Sequence, residues 1–150
     1  MRVVIQRVQR CSVAVEGNVI GEIGKGLAIL LGIEEADTQE DIDWLCGKIA
    51  RLRIFDDENG VMNLDIQQVG GRSIVISQFT LFASTKKGNR PSYIRSAGEA
   101  ISRPMYEKFL ATLSSVLGAE VEHGEFGADM KVSLVNDGPV TICIDSKNRE

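Results

Sequence analysis

The order of apolar and polar residues predicts a chain that begins and ends in strands. Residues 2–8 and 11–15 are rich in valine and roughly alternate, as half-buried strands do. Gly17-Asn18 marks a turn before a short return strand, and the continuous apolar run 26–33 is typical of a strand buried on both faces. Three further segments are predicted to be strands: 73–82, about 130–136 and 139–145. The stretch "FDDENG", 55–60, is predicted to be a turn-rich loop before the short segment 61–64.

The first of two predicted helices runs from Thr38 to about Arg53. Thr38 occupies the N-cap position, and Asp41 stands three residues later, in the arrangement of a capping box. Apolar residues with helical spacing then form one face of the helix: Ile42, Leu45, Cys46 and Ile49.

The second predicted helix runs from about Arg103 to Leu117. Ser102 is the predicted cap, Pro104 suits a first turn, and Gly118 ends the helix. Two amphipathic helices cannot cover both faces of a sheet with this many strands. The pattern therefore predicts a mixed α/β structure with curved β layers and the helices on one side.

Composition and charge narrow the class of protein. The chain has 150 residues, 43% hydrophobic and 25% charged, and we expect a single domain over residues 1–150. The net charge of −4 means that binding to RNA requires a local basic patch. The N-terminal stretch has neither the pattern of a signal peptide nor that of a membrane span. Three widely spaced cysteines in apolar runs predict buried thiols in a reducing, cytoplasmic setting: Cys11, Cys46 and Cys143.

Several common kinds of site are missing from the sequence. The one histidine, His123, stands in a polar, loop-like stretch and is expected to be exposed. Histidine and cysteine residues lack the spacing of a metal site, so we expect neither a metal nor another cofactor. The glycines of "GEIGKG", 21–26, lie between short strands with no following helix, unlike those of a phosphate-binding loop.

Polar residues end the predicted strand 73–82, in the stretch "SQFTL", 77–81. Strand alternation predicts that Ser77 and Phe79 face one side, while Gln78 and Thr80 face the other. Thr80 is either a nucleophile or a residue that only hydrogen-bonds its neighbours. Because an unactivated threonine is a poor nucleophile and no base is visible nearby, chemistry alone favours the second interpretation.

A basic segment, "TKKGNRPSY", 85–93, follows directly after that strand end. It carries Lys86, Lys87 and Arg90 around a glycine, with Tyr93 at its end. Such a run is commonly a solvated loop. Its position beside the polar strand end also permits a second interpretation, in which it holds the phosphates of a substrate bound there.

The stretch "LVNDGPVTI", 134–142, places a proline between two strand-like runs. Proline cannot donate to a sheet ladder. In one interpretation Asp137-Gly138 is a hairpin turn and Pro139 opens the next strand. In the other, Gly138-Pro139 is itself a functional element. The residues alone leave both open.

Taken together, "SQFTL", "TKKGNRPS" and "NDGPVT", with "QRVQRCSVAVEG" and "RIFDDENGVMNLDIQQVGG", closely resemble the D-aminoacyl-tRNA deacylases. The resemblance covers nearly the whole chain. It implies an α/β fold, a three-layer β/β/α sandwich of curved mixed sheets with two main helices on one side. It also implies a homodimer with active sites at the subunit interface, which hydrolyses the ester between a D-amino acid and the 3′ adenosine of tRNA.

The resemblance also assigns roles to individual residues. Its catalytic strand matches Ser77, Gln78, Phe79 and Thr80. Its cis Gly-Pro peptide, which reaches into the partner's pocket, matches Gly138 and Pro139. Met130 and Arg7 match positions that line or support the pocket, and Lys86, Lys87 and Arg90 are the expected tRNA contacts. No membrane or DNA partner is implied.

A backbone wall at the place of an L side chain would reject L substrates by steric overlap. Glycine has hydrogen at both positions, so glycyl-tRNA is expected to be cleaved as well. For the chemistry, the 2′-hydroxyl of the substrate is favoured over Thr80, which lacks an activator. Two other classes of function stay open from the sequence: a non-catalytic RNA-binding dimer, and a hydrolase of small D-amino acid esters.

Overall fold

The computed structural model describes all residues from Met1 to Glu150. It contains eight strands, two α-helices and one short 3₁₀ helix. The elements in chain order are β1 Arg2–Val15, β2 Asn18–Ile23, β3 Gly26–Gly32, α1 Gln39–Arg51, β4 Phe55–Asp56, β5 Met62–Leu64, β6 Arg72–Ser77, the 3₁₀ helix Phe79–Phe82, α2 Glu99–Leu117, β7 Glu122–His123 and β8 Met130–Asp145.

A six-stranded mixed sheet is built around the long strand β1. The first half of β1 pairs with β3 and its second half with β2, while β8 pairs antiparallel along nearly its whole length. β6 joins β3 in parallel, β7 joins β6 in parallel, and β4 and β5 form a separate ribbon. β8 pairs with no strand other than β1 and is therefore an edge of the sheet.

The sheet curves until β2 lies over β6 and β7. A Cβ atom built on Gly21 of β2 would come within 2.7 Å of the His123 carbonyl oxygen and 3.4 Å of Ile74. Glycine is required there because any side chain would hold the two layers apart. The curvature creates the two β layers of the predicted sandwich.

Two hydrophobic cores fill the faces of this sheet. The larger lies under α1 and α2 and includes alternate residues of the central strands, among them Ile5, Leu27, Ile29 and Val75. The smaller lies on the other face, inside the curve: Val8, Cys11, Val13, Ile23, Ala28, Ile74 and Ile76. Both faces of the central strands are therefore buried, and the predicted α/β class with helices on one side is confirmed.

Both predicted helices are present, but the predicted start of the second one is wrong. α1 follows Thr38, and the Asp41 carboxylate accepts a hydrogen bond from the Thr38 backbone N–H at 2.8 Å. α2 begins at Glu99, four residues earlier than predicted, so Ser102 and Pro104 lie inside it. The Ser102 hydroxyl donates to the Gly98 carbonyl at 3.0 Å instead of capping the helix. Gly118 ends α2 with φ 62°, as expected.

Two strand predictions are wrong. The run 73–82 is not one strand, because β6 ends at Ser77 and a 3₁₀ helix follows. The hairpin interpretation of 134–142 also fails, since β8 continues through Gly138 and Pro139 along the same partner strand.

The cysteines divide into two environments. Cys11 and Cys46 are buried, and burial raises the pKa of their thiols to about 11 and about 12. Cys143 is exposed on β8, contrary to expectation. His123 is exposed as predicted, although it lies in the two-residue strand β7. Neither helix has the combination of length and apolar character needed to cross a bilayer.

Asp41 ties the start of α1 to the C-terminal segment. Its carboxylate accepts hydrogen bonds from Ser146 Oγ at 2.6 Å and Lys147 Nζ at 2.8 Å, besides the Thr38 N–H. Burial by itself raises the pKa of Asp41, but the bonds from Lys147, Ser146 and Thr38 together hold that pKa well below its usual range. A depressed folded-state pKa contributes stability above the unfolded pKa, and this contribution is lost as the pH falls through the folded value.

We expect Asp41→Ala to lower the free energy of unfolding at pH 7 by about 3 kcal/mol, since it removes a cap and charge-assisted hydrogen bonds. Asp41→Asn should reduce the loss of stability that the wild type shows below about pH 4, because the titrating group is gone. Urea unfolding at a series of pH values measures both. Asp43→Asn, on the exposed side of α1, is the matched control. Wild-type stability of both Asp41 variants would contradict the prediction.

Candidate active site

A cavity of about 310 Å³ lies where β6 ends, against the loop that leads into β8. Most of its lining is apolar. Four of the residues selected from the sequence line it: Ser77, Gln78, Phe79 and Met130. A concave, mainly apolar cavity with a few polar groups is the usual form of a small-ligand site. A larger cavity of about 560 Å³ lies between α1, the C-terminal residues and the paired strands β1 and β8, but none of the candidate site residues lines it.

The polar wall of the cavity is a turn, not a strand. Beyond Ser77 the chain bends at Gln78 and enters the 3₁₀ helix, whose first backbone bond runs from Leu81 N to Gln78 O at 3.3 Å. Strand alternation therefore does not apply to Gln78, Phe79 and Thr80. Instead the Gln78 side-chain amide reaches forward and donates to Thr80 Oγ1 at 2.5 Å. Thr80 itself does not line the cavity.

Neighbouring elements fix this turn in place. Arg2 Nη1 donates to the Leu81 carbonyl at 3.0 Å, and Ser96 Oγ donates to the Phe79 carbonyl at 2.6 Å. Gly32, at the end of β3, lets the turn pack closely: a Cβ there would lie 3.0 Å from Leu81 Cβ and 3.2 Å from the Gln78 carbonyl oxygen. The backbone of the turn is thus held from three sides.

One carboxylate stands at the cavity, and the sequence analysis did not single it out. Asp129 lines the rim and is 87% exposed at its side chain, where Lys131 Nζ donates to it at 2.8 Å. His123 is not among the lining residues. The Thr80 hydroxyl accepts from Gln78 and donates to no protein group. A Ser-His-Asp type of relay is therefore absent from this site.

Gly138 and Pro139 lie on an excursion of β8, outside this cavity. Gln6 pairs with Thr141 and Val8 with Asn136, so the single residue Arg7 faces four residues of β8. The Gly138-Pro139 peptide is cis, Gly138 has φ 131°, and both residues are exposed.

Arg7 and Asn136 hold the base of the excursion. Arg7 is buried, and its Nε donates to the Asp137 carbonyl at 3.0 Å. Asn136 Nδ2 bridges the two strands, with bonds to the carbonyls of Arg7 at 3.0 Å and Val140 at 2.9 Å. Arg7 therefore supports the excursion and does not line the cavity. Eight residues of strand at about 3.3 Å each separate Met130 from Gly138, so the excursion stands far from the cavity of its own chain.

A model of the D-Tyr-tRNA(Tyr) deacylase family matches residues 4–145. The chain belongs to the D-Tyr-tRNA(Tyr) deacylase family. The resemblance inferred from the motifs is thereby confirmed.

Similar proteins support the same assignment to the deacylase family. A protein of Bacteroides thetaiotaomicron named D-aminoacyl-tRNA deacylase is 65% identical over 150 residues, 100% of both chains. One of Dechloromonas aromatica with the same name is 58% identical over 147 residues, 98% of both chains. The solved structure of a c-Myc DNA unwinding element binding protein superposes with a TM-score of 0.91 at 37% identity, covering 97% of this chain and 98% of that one. A probable eukaryotic D-amino acid tRNA deacylase shares the fold, with a TM-score of 0.82 at 14% identity over 95% and 97% of the two chains.

The basic segment of this deacylase-family chain is an exposed, closed loop. Two backbone hydrogen bonds between Ser84 and Ser92, 2.8 and 2.9 Å, join its ends. Residues 83–95 are all exposed, and Lys86, Lys87 and Arg90 form no ion pair. No acidic residue occurs between Asp65 and Glu99, although the chain as a whole is acidic. Three unpaired cations are therefore presented to solvent directly after the cavity turn.

Proposed function

We propose that the protein hydrolyses the ester bond between a D-amino acid and the 3′ end of tRNA, in the cytoplasm. The observation that carries the proposal is the cavity at the Ser77–Phe79 turn, of a size suited to an aminoacyl group, in a chain of the deacylase family. The test is the loss of the ester from D-Tyr-tRNA, L-Tyr-tRNA and glycyl-tRNA, and from a small ester of D-tyrosine. Cleavage of the D and glycyl esters alone supports the proposal. If no ester is cleaved, a non-catalytic RNA-binding dimer is favoured. If only the small ester is cleaved, the protein is instead a hydrolase of small D-amino acid esters.

Backbone N–H groups of the turn are the proposed oxyanion site. The N–H groups of Phe79 and Thr80 precede the first backbone bond of the 3₁₀ helix and have no partner within it. Donors fixed by a rigid backbone stabilise the charge that develops on an ester carbonyl oxygen during attack. The anchoring of Phe79 and Leu81 by Ser96 and Arg2 suits this role.

The 2′-hydroxyl of the terminal adenosine is the proposed activating group for water. Thr80 is a poor nucleophile here because its hydroxyl has no base to accept the proton. Instead, the Gln78 side-chain amide donates a hydrogen bond to Thr80 Oγ1, which supports a structural role for Thr80. Asp129 at the rim, which pairs with Lys131 at 2.8 Å, is the remaining candidate base.

Rejection of L-aminoacyl-tRNA is assigned to Gly138 and Pro139 of a partner subunit. The excursion is exposed and held by buried Arg7, yet it lies far from its own cavity. An element with those properties is suited to enter the cavity of another copy. Main chain suits a wall against the L side chain, since no rotamer change can open it. The long free edge of β8 also supports a homodimer, because an unprotected edge of this length favours association.

We expect the double change Lys86→Ala and Lys87→Ala to weaken tRNA binding and to reduce the slope of log K against log salt by about one unit for each phosphate that is no longer neutralised. Titrations of uncharged tRNA at several salt concentrations measure this slope. The matched control replaces two exposed lysines elsewhere, Lys25 and Lys108. An equal slope in both double variants would make the loop a merely solvated surface.

A further inference from the structure

An exposed aromatic pair stands beside the cavity, and the reaction proposed above does not account for it. The rings of Phe79 and Tyr93 meet edge to face, with centroids 5.1 Å apart and an interplanar angle of 73°. Phe79 is 57% exposed, Tyr93 is 37% exposed and the neighbouring Ile94 is 90% exposed. In an edge-to-face pair at least one ring keeps both faces free of the other ring, so a flat ligand can still stack on the pair.

The segment that carries Tyr93 is anchored to the cavity itself. Ser96, three residues on, donates its hydroxyl to the Phe79 carbonyl at 2.6 Å, and its N–H bonds to the Tyr93 carbonyl at 2.9 Å. Ala97 then lines the cavity and is bonded to Ile33 of the cavity wall at 2.9 Å. Tyr93 is therefore placed at the cavity mouth by a short, hydrogen-bonded path.

The charge around the pair indicates which ligand it fits. The stretch between Asp65 and Glu99 has no acidic residue, and only Arg95 in the 83–95 segment is neutralised, by Glu34 at 3.1 Å. An exposed aromatic next to unpaired cations is the arrangement by which proteins hold single-stranded nucleic acid: phosphates lie on the cations and bases stack on the rings.

We infer that Tyr93, with Ile94 beside it, holds the base of the nucleotide that precedes the terminal adenosine of the tRNA. This rests on the proposed function. The terminal adenosine must lie at the Ser77–Phe79 turn for its ester to enter the cavity. The preceding nucleotide then leaves the cavity past Phe79, toward Tyr93 and on to the loop of Lys86, Lys87 and Arg90. Tyr93 is thus a binding residue for the unpaired 3′ end.

The decisive experiment compares two substrates: D-Tyr-tRNA, and D-tyrosine esterified to adenosine alone, which lacks the preceding nucleotide. For Tyr93→Ala we expect KM for D-Tyr-tRNA to rise by roughly 5- to 150-fold, the range for loss of one stacked base, with kcat unchanged. Cleavage of the adenosine ester should be unaffected. Tyr93→Phe should behave as wild type, and the salt slope of Tyr93→Ala should equal that of wild type, since its charge is unchanged.

A binding measurement tests the contact between Tyr93 and the tRNA 3′ end without catalysis. Tyr93→Ala should bind intact uncharged tRNA more weakly than wild type does, while tRNA trimmed of its last two nucleotides should bind both proteins equally. If neither substrate is cleaved by wild type but this binding difference persists, the proposed reaction fails and the stacking contact stands.

Three results would overturn the inference. An equal loss on both substrates means that Tyr93 only supports Phe79. No loss on either substrate, with equal binding of both tRNAs, means that the pair is unused. A Tyr93→Ala protein that is monomeric by light scattering while wild type is dimeric means that the pair contacts a second copy of the chain.

Discussion

A D-aminoacyl-tRNA that ends in 2′-deoxyadenosine is expected to be hydrolysed at least about 100-fold more slowly than the natural substrate, the range for loss of a general acid or base. Thr80→Ala should stay within a few-fold of wild type. The physical reason is the hydrogen bonding of the turn: the Thr80 hydroxyl accepts from Gln78 and has no group to take its proton. We therefore expect the substrate's own 2′-hydroxyl to orient or activate water at the ester.

Single-turnover rates with enzyme in excess give the comparison, because they separate the chemical step from binding. Asp129→Asn is the control for a carboxylate base at the rim. A large loss in Asp129→Asn with a normal deoxy substrate would transfer the role to Asp129. If Thr80→Ala is inactive and the wild type hydrolyses the 2′-deoxy substrate at its normal rate, Thr80 is the nucleophile.

Activity restored by mixing two inactive variants is the second large effect that we expect. Gly138→Val should cost about 100-fold in D-Tyr-tRNA cleavage, the penalty for a misplaced group of about 1 Å. Gly138 has φ 131°, which L side chains rarely adopt, and a Cβ there would lie 2.8 Å from Val140 Cγ2. Ala128→Trp should inactivate the enzyme differently, by filling the cavity that Ala128 lines.

If the excursion acts on the partner's cavity, a mixed dimer has one intact site: the cavity of the Gly138→Val subunit with the excursion of the Ala128→Trp subunit. Random pairing makes half of the dimers mixed, so about one quarter of wild-type activity should return. The two proteins are unfolded and refolded together, with each alone as control. No recovery, or full wild-type activity from a particle of 16.4 kDa by light scattering, would place the whole site in one chain.

The helices and the central strands could be predicted from the sequence because their signals are local. Thr38 and Asp41 mark the start of α1, and the uninterrupted apolar run of β3 predicts burial on both faces. The start of α2 was missed because Gly98 is a weak capping signal, whereas Ser102 and Pro104 form a strong one inside the helix.

The strand end and the β8 excursion could not be predicted, for a different reason. The apolar residues of 73–82 are compatible with a buried strand and with a 3₁₀ turn. β6 ends at Ser77 because the turn that follows is held by Gly32, Arg2 and Ser96 from other parts of the chain. Likewise Asp137-Gly138 is a good hairpin signal. The pairing of Gln6 with Thr141 and of Val8 with Asn136, more than 125 residues apart in the chain, makes it an excursion instead.

By itself, the sequence determined the α/β class, the two helices and the membership of the deacylase family, since periodicity and ordered motifs are written along the chain. It also selected four of the residues that line the cavity. Only the tertiary structure decided which of these residues meet. In the folded chain, Met130 and Asp129 line the same cavity as the Ser77–Phe79 turn. Thr80 does not line that cavity, and its hydroxyl is hydrogen-bonded to Gln78. The tertiary structure also separated Gly138 and Pro139 from their own cavity and set Tyr93 against Phe79. Those relations depend on pairings between distant segments, and local patterns carry no information about distance in space.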